Sequence, residues 1–197
     1  MQPETFYHIY NHANGFENLF RSDENYRYFL QQWGNYVQPV AETYAYCLMP
    51  NHIHFLIRAK KESELLNNDN IDLTGFENLS GLISKKFSNL FNSYAKAYNK
   101  QYDRKGSLWN RPFKAKEVTS DTYLTNVIFY IHHDPVHHTF VNSLFDWPHS
   151  SIHAILSRKA TQVKRNEVID WFGGKQQLKE FHKQAIKDLD KLEMEFT

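Results

Sequence analysis

The segment Pro50-Asn51-His52-Ile53-His54-Phe55-Leu56-Ile57-Arg58 decides how this chain is arranged. Its alternation predicts a β-strand, in which residues two apart project from the same face. His52 and His54 therefore project together, and the apolar residues that alternate with them project toward the core. Two imidazoles on one face can share a divalent metal ion and leave coordination positions for substrate oxygens. From His-x-His alone, two hydrogen-bonded histidines at a strand end are the favoured interpretation, because a three-residue match is weak.

The composition indicates a globular protein of 197 residues, with 41% hydrophobic and 16% aromatic residues. This length predicts one domain with an extension. The one cysteine, Cys47, lies among apolar residues and predicts a buried thiol in a reducing compartment, with no disulfide framework. No apolar run is long enough to span a bilayer, and the first residues do not resemble a signal peptide. We therefore expect a cytoplasmic protein without membrane contact.

The charges are distributed unevenly, although the net charge is only +1. Residues 62–77 contain five acidic and no basic residues, whereas residues 81–116 contain nine Lys or Arg and one acid, Asp103. A local basic block is typical of a surface that binds nucleic-acid phosphates. A helix face with solvated lysines explains the block equally well, so its meaning depends on the motifs around it.

Hydrophobic periodicity predicts the element order strand, helix, strand, strand, helix, strand, helix. The predicted strands are residues 6–11, 43–49, the His52 segment and 113–118, and the predicted helices begin near Ser22, Leu79 and Thr119. Residues 60–78 predict a flexible polar loop. Pro50 and Asn51 join two strands so tightly that these should be antiparallel neighbours. The order predicts an α+β fold with a ferredoxin-like antiparallel sheet and helices on one face.

The helix that begins near Thr119 has an apolar face beside a flank of chemically useful residues. Tyr123, Tyr130 and Asp134 fall together on that flank, because residues separated by three- and four-residue multiples share a side. Pro135 is expected to end the helix and to push Asp134 away from helical backbone angles. The following histidines, His132, His133, His137 and His138, are predicted to lie on the surface or to face DNA.

The last part of the chain is predicted to be an extension of the domain formed by residues 1–158. Residues 159–197 are predicted to form a linker and, after Gly173-Gly174, a C-terminal amphipathic helix. The apolar stripe of that helix is Leu178, Phe181, Ile186, Leu189 and Leu192. We expect the helix to dock on the domain, and a dimer contact is its other possible use.

Five motifs, in this order along residues 6–155, resemble those of the single-strand-specific tyrosine transposases of the HUH (His-hydrophobic-His) endonuclease superfamily. They are Tyr7-His8-Ile9-Tyr10-Asn11, Leu48-Met49-Pro50-Asn51-His52-Ile53-His54, Gly106-Ser107-Leu108-Trp109-Asn110-Arg111-Pro112-Phe113, Tyr130-Ile131-His132-His133-Asp134-Pro135-Val136 and Trp147-Pro148-His149-Ser150-Ser151. Among these insertion-sequence-type transposases, the chain looks most like the REP-associated branch. An ordered set of five motifs is far more specific than His-x-His alone.

The resemblance implies an enzyme that cuts and rejoins single-stranded, hairpin-containing DNA through a 5′-phosphotyrosine intermediate. It implies that Tyr130 is the nucleophile and that His52 and His54 are catalytic through a bound Mg²⁺ or Mn²⁺. Asp134 could supply a third metal ligand. The family usually has Asn or Gln at that position, so Asp134 departs from its pattern. A carboxylate is a better ligand for these metals on charge grounds, but it also repels phosphate.

The basic block supplies candidate phosphate contacts, and its rings are candidates for stacking on unpaired bases. The predicted DNA-binding residues are Lys85, Lys86, Arg104, Lys105, Trp109, Arg111, Lys114 and Lys116. Trp109 and Phe113 can instead be core residues, and for Phe113 we favour the core. The expected partner is single-stranded or hairpin DNA, and the expected state is a monomer or a homodimer.

Other interpretations remain open at the level of sequence. One is a non-catalytic single-stranded DNA- or RNA-binding module with a ferredoxin-like sheet, in which the histidines are incidental. Another is a non-haem iron enzyme, because two histidines and a carboxylate can form a facial triad. Tyr130 taken alone could be a packed helix residue, and Tyr123 is the rival nucleophile on the same flank.

Overall fold

The computed structural model describes residues 1–66, 79–110 and 112–183, except for the side chains of Leu66 and Leu79. Most of the predicted loop at 60–78 lies outside this range. The predicted DNA contact Arg111 and three of the predicted apolar positions, Ile186, Leu189 and Leu192, also lie outside the described residues.

Four strands form one antiparallel sheet, and all of them were predicted within two residues at most ends. They are β1 (Phe6–His12), β2 (Ala41–Leu48), β3 (His52–Ala59) and β4 (Lys114–Val118). Their order across the sheet is β2-β3-β1-β4, and each neighbouring pair is antiparallel. The predicted α+β class and ferredoxin-like antiparallel sheet are therefore confirmed.

The helices form a layer on each face of the sheet. They are α1 (Asp23–Tyr36), α2 (Glu62–Leu66), α3 (Leu79–Gln101), α4 (Asp121–His137), α5 (Ile152–Leu156), α6 (Arg165–Trp171) and α7 (Lys175–Lys183). Helices α1 and α3 share one core with one face of the sheet, as predicted. Helices α4 to α7 share a second core with the other face, which the prediction of helices on one face did not include. The second layer is what encloses the histidines of β3.

Strand β3 lies between β1 and β2 and is buried on both faces. Phe55 packs on the α1 side, with its ring centroid 3.5 Å from that of Trp33. Leu56 packs in the core on the α4 side. This alternation is the predicted one, and it puts His52 and His54 on the face that α4 covers.

Helix α4 was predicted to end at Pro135, but it continues to His137. A proline lacks an N–H, so the helix loses one hydrogen bond at Pro135. The N–H of His138 donates to the carbonyl of Asp134, and the N–H of Phe140 donates to that of Pro135. Asp134 is therefore held inside the helix, one turn after Tyr130 and on the same flank.

The described part of the extension packs against the sheet. Lys164 donates its backbone N–H to the carbonyl of Thr43, and its ammonium group lies 2.7 Å from Glu42 Oε1. Leu178 of α7 is buried in the core on the α4 side. Among the described residues, no helix is both long and apolar enough to cross a bilayer.

Candidate active site

The three side chains that were predicted to be metal ligands meet between β3 and α4. His52, His54 and Asp134 are buried, and one potential ligand atom from each lies within 4.8 Å of the others. The strand supplies two imidazoles from one face, and the helix supplies the carboxylate from its last turn. This His–Asp group (His52, His54 and Asp134) can hold a metal ion.

The ring of His52 is held between two acceptors. Its Nδ1 lies 2.8 Å from Asn51 Oδ1, and its Nε2 lies 2.9 Å from Asp134 Oδ2. An amide oxygen only accepts, so Nδ1 carries the proton, and a neutral ring then presents a lone pair at Nε2. That lone pair faces a carboxylate, so a cation is needed between them or an extra proton on the ring. Adjacent ligands with bonds of about 2.1 Å to one octahedral metal are about 3.0 Å apart, which matches the observed separation.

The second carboxylate oxygen of Asp134 also fits a cation. Oδ1 is buried and accepts no hydrogen bond from the described residues. The imidazole of His138 lies next to it, with Nε2 at 3.5 Å from Oδ1. A buried carboxylate oxygen without a donor is costly unless another positive group satisfies it. The donor set of the His–Asp group therefore suits a divalent metal.

A second histidine supports His54 from the neighbouring strand. His8 Nε2 lies 2.9 Å from His54 Nδ1, and both side chains are buried. Burial, together with charge repulsion from Lys116, lowers the pKa of His8 to about 3. Burial and the surrounding histidines, with His8 first among them, hold the pKa of His54 well below its usual range. Neutral imidazoles are the form that binds metals, and a hydrogen bond at Nδ1 orients the ring so that Nε2 can face a metal.

Tyr130 lies directly against this pair of histidines. Its ring meets that of His54 edge-to-face at a centroid distance of 5.4 Å and that of His8 at 5.9 Å. The side chain is 4% exposed. Tyr123, the rival on the same helix, instead lies under the ammonium group of Lys116 at 6.0 Å. The structure thus places Tyr130, rather than Tyr123, beside the His–Asp group.

The edge of the sheet next to the site is basic. In the strand register, Lys114 of β4 lies opposite Tyr10 of β1, and Lys116 lies opposite His8. Residues opposite one another project from the same face, so both lysines flank the site. Both are exposed. The two lysines of β4 therefore lie where phosphates that approach Tyr130 can be neutralised.

The other predicted DNA contacts have different surroundings. Lys85 and Lys105 are exposed and Lys86 is half-buried, all outside the site. Arg104 is held by both carboxylate oxygens of Glu17 and by three further acceptors, so it ties a loop together.

Trp109, a predicted stacking residue for unpaired bases, is only 2% exposed, so its ring does not lie on an open surface. Its ring packs against Phe91, with the centroids 4.9 Å apart, and against Phe29 at 5.8 Å. Phe113 packs on Phe87 at 5.2 Å, which agrees with a core position.

The histidines that follow Tyr130 were predicted on the surface, and His132 corrects this prediction. His132 is fully buried, and its two ring nitrogens lie 2.9 Å from His182 Nε2 and 2.8 Å from Ser151 Oγ. His133 is half-buried, His137 is partly exposed and His138 is exposed. The sequence run could not separate these positions, because the faces of α4 contact different elements.

Known proteins support the fold and the resemblance. No protein-family model matches this chain. A protein of Haemophilus influenzae named "Putative REP-associated tyrosine transposase" is 31% identical over 114 residues, which cover 57% of this chain and 59% of that protein. The predicted resemblance to the REP-associated tyrosine transposases is confirmed. The chain spans about three fifths of the length of this curated relative.

A solved structure of a REP-associated tyrosine transposase bound to a REP hairpin has the same fold. The TM-score is 0.61, and the match covers 80% of this chain and 82% of that chain at 15% sequence identity. At this identity the likeness concerns the fold, which is the predicted α+β architecture.

Sequence reasoning missed three residues that shape the site. His8 supports His54, Asn51 supports His52, and His12 stacks on His52 with ring centroids 4.8 Å apart. His8 and His12 alternate with Tyr10 on β1, so strand periodicity alone could have grouped them. Their contact with β3 could not be read from the sequence, because it depends on which strands are neighbours.

Proposed function

We propose that this protein is a metal-dependent DNA transposase that cuts and rejoins single-stranded, hairpin-containing DNA, with Tyr130 as the nucleophile. The observation that carries the proposal is the contact of the Tyr130 ring with His54, within the buried group that also contains His52 and Asp134. The name of the Haemophilus influenzae relative supports the transposase activity. The REP hairpin bound by the transposase of the same fold supports the type of DNA.

The reaction is a transesterification at a phosphodiester. Tyr130 Oη attacks the phosphorus atom, and the bond between phosphorus and the 3′-oxygen breaks. The phenol proton passes to solvent, and the leaving 3′-oxygen gains a proton. The products are a 5′-phosphotyrosine and a strand with a free 3′-hydroxyl. A second 3′-hydroxyl can reverse the reaction, so joining needs no nucleoside triphosphate.

His52, His54 and Asp134 would hold Mg²⁺ or Mn²⁺. When bound, the ion withdraws charge from the phosphate oxygens. Mixed imidazole and carboxylate ligands suit Mn²⁺ somewhat better than Mg²⁺, which prefers oxygen alone. The neighbours of these ligands also contribute, since Asn51 and His8 fix the orientation of the two imidazoles.

The protein residues around the site would orient the strand. Lys114 and Lys116 lie beside Tyr10 and His8, where they can bind phosphates next to the scissile one. Tyr130 is nearly buried, so a flexible strand reaches it more easily than a stacked duplex. This arrangement favours an unpaired strand that flanks a hairpin.

The proposal is tested with a pool of DNA hairpins that carry single-stranded flanks, incubated with the protein and Mn²⁺. We expect a protein–DNA adduct that survives denaturing electrophoresis, and sequencing of the trapped strands then gives the site. Blunt duplexes of the same sequence are the control. Equal cutting of the blunt duplexes would contradict the assigned substrate, and binding without any adduct would favour a non-catalytic DNA-binding module.

A second function has one observation in its favour. Two histidines and one carboxylate also form the ligand set of non-haem iron oxygenases. This function leaves Tyr130 and the two lysines of β4 without a role. Anaerobic titration with Fe²⁺, followed by exposure to oxygen and optical spectroscopy, distinguishes it from the transposase, which needs no redox change.

A further inference from the structure

A cavity of about 440 Å³ lies between α3 and the segment that precedes β4. Its apolar lining comes from Phe91, Trp109 and Phe113, and its polar lining comes from Asn11, Ser88 and Asn92. Asn11 lies two residues after Ile9 on β1, so both side chains project from the face of the sheet that α3 covers. The cavity therefore lies on the α3 face. It is therefore separate from the His–Asp group, which lies on the α4 face.

The lining suits a flat, polar-edged ring. Small-molecule sites are commonly cavities of this size with mostly apolar walls and a few polar groups. Unpaired nucleobases bind in this way, with their faces on aromatic side chains and their edges on amide or hydroxyl groups. Asn11, Ser88 and Asn92 supply such groups at one cavity.

The indole of Trp109 gives an independent reason to expect a ligand. Its Nε1 is buried and has no hydrogen-bond partner among the described residues. In contrast, Trp33 donates to Thr43 Oγ1 at 2.9 Å, and Trp147 donates to the carbonyl of Leu48 at 3.1 Å. An indole N–H can only donate, and a buried donor without an acceptor is costly. A carbonyl or ring nitrogen of a base would supply the acceptor.

Charge on α3 fits the backbone that would carry this base. Lys85, Ser88, Asn92 and Lys96 follow one another at three- and four-residue steps, so they share one flank of the helix. Both lysines are exposed. They lie before and after the two residues that line the cavity, where they can contact the phosphates on either side of a bound nucleotide.

The cavity and the His–Asp group lie at the same end of the sheet. Asn11 and His12 are consecutive on β1 and project from opposite faces. Asn11 lines the cavity, whereas His12 stacks on His52. A single strand that passes around this end of β1 can therefore contact both.

We propose that this cavity binds one unpaired nucleobase of the DNA strand and so fixes the position of that strand relative to the site. The identity of the ligand as DNA rests on the proposed function. The binding itself requires neither a metal nor the reaction of Tyr130, so it can be measured without them.

The test uses a DNA hairpin with a single-stranded 5′ flank, in which each flank nucleotide is replaced in turn by an abasic one. Binding is measured by fluorescence polarisation in EDTA. The affinity of the wild-type protein should fall about tenfold when one particular flank nucleotide is abasic, which is typical for loss of one stacked base. Ser88→Phe, which fills the cavity from an exposed position, should weaken binding of the intact hairpin by a similar factor. In this variant, the abasic nucleotide at that position should cause no further loss of affinity.

The controls separate this effect from folding. Ser63→Phe changes another exposed helical serine at the opposite end of the sheet and should bind as wild type does. Phe113→Leu keeps apolar volume but removes one ring, and it should give part of the effect of Ser88→Phe. In ¹H–¹⁵N spectra, the indole N–H signal of Trp109 should shift with the hairpin in wild type and not in Ser88→Phe.

The outcomes distinguish the two proposals. The proposal that the cavity binds a base is wrong if the hairpin binds but Ser88→Phe changes the effect of no abasic nucleotide. It is also wrong if the hairpin binds and the Trp109 signal does not shift. An adduct formed by wild type in Mn²⁺ would leave the proposed function in place in that case. If the protein binds no hairpin or single strand at all, both proposals are overturned.

Discussion

His52 Nε2 and Asp134 Oδ2 lie 2.9 Å apart, although 82 positions separate the two residues in the sequence. One comes from the start of β3 and the other from the last turn of α4. With the Nδ1 proton of His52 directed at Asn51, Nε2 presents a lone pair to the carboxylate, and a cation bound between the two would stabilise this approach. This relationship ties the helix that carries Tyr130 to the strand that carries the histidines.

The first prediction concerns the metal. His52→Ala and Asp134→Ala should each lose Mn²⁺ binding measured by electron paramagnetic resonance and should form no DNA adduct. Asp134→Asn should keep weaker binding, because an amide oxygen can still coordinate but has no charge. Thermal unfolding checks that each variant is folded. Full Mn²⁺ binding by folded His52→Ala would rule out this site.

The second prediction concerns Asn51, which touches His52 but is not placed to bind the metal. Asn51→Ala removes the acceptor that fixes the tautomer of His52, so Mn²⁺ affinity should fall by roughly 10- to 100-fold. Asn166→Ala, on α6 and exposed, is the matched control and should change nothing. Unchanged Mn²⁺ affinity in Asn51→Ala would mean that Asn51 does not orient His52 for metal binding.

The third prediction concerns the basic edge of the sheet. Lys114→Gln and Lys116→Gln should each reduce the slope of log affinity for single-stranded DNA against log salt concentration by about 0.7, the release expected for one phosphate contact. Lys179→Gln on α7 is the control, since its lysine is exposed and remote. If Lys114→Gln and Lys116→Gln kept the wild-type slope, as Lys179→Gln is expected to do, phosphates would not approach along β4.

The fourth prediction concerns the pH dependence of stability. Burial and His182 hold the pKa of His132 well below its usual range, so the folded state keeps this ring neutral. In the unfolded chain, His132 binds a proton below about pH 6.5. Through this one group, the free energy of unfolding should then fall by up to about 1.4 kcal/mol for each pH unit of acidification. The contribution of His132 is fully present above that pH and is lost on acidification.

His132→Leu should therefore show a shallower loss of stability between pH 6.5 and 5 in chemical unfolding. Ser151→Ala removes one hydrogen bond to His132 but keeps the titrating ring, so it should be less stable at every pH with the original slope. The same slope in His132→Leu as in wild type would contradict a neutral, buried His132.

Local periodicity was enough to predict much of the fold and part of the site. The two-residue period of β3 placed His52 and His54 on one face, and the four-residue step of α4 placed Tyr130 and Asp134 on one flank. These relationships need only the geometry of a single strand or helix. The antiparallel pairing of β2 and β3 followed from their short connection at Pro50.

Contacts between distant segments could not be predicted in the same way. His8 meets His54 only because β1 pairs with β3, and Trp109 is buried only because α3 packs over it. The predicted end of α4 was wrong because hydrogen bonds beyond Pro135 hold the last turn of the helix. Each of these features depends on packing that no local pattern of residues encodes.

The central claim is that Tyr130 attacks the DNA, and the most direct measurement is mass spectrometry of the protein–DNA adduct after proteolysis. Wild type with a flanked hairpin and Mn²⁺ should carry the DNA on the peptide that contains Tyr130. Tyr130→Phe keeps the ring against His54, so it should bind the same hairpin with similar affinity and form no detectable adduct. An adduct on Tyr123, or an undiminished adduct in Tyr130→Phe, would contradict the account.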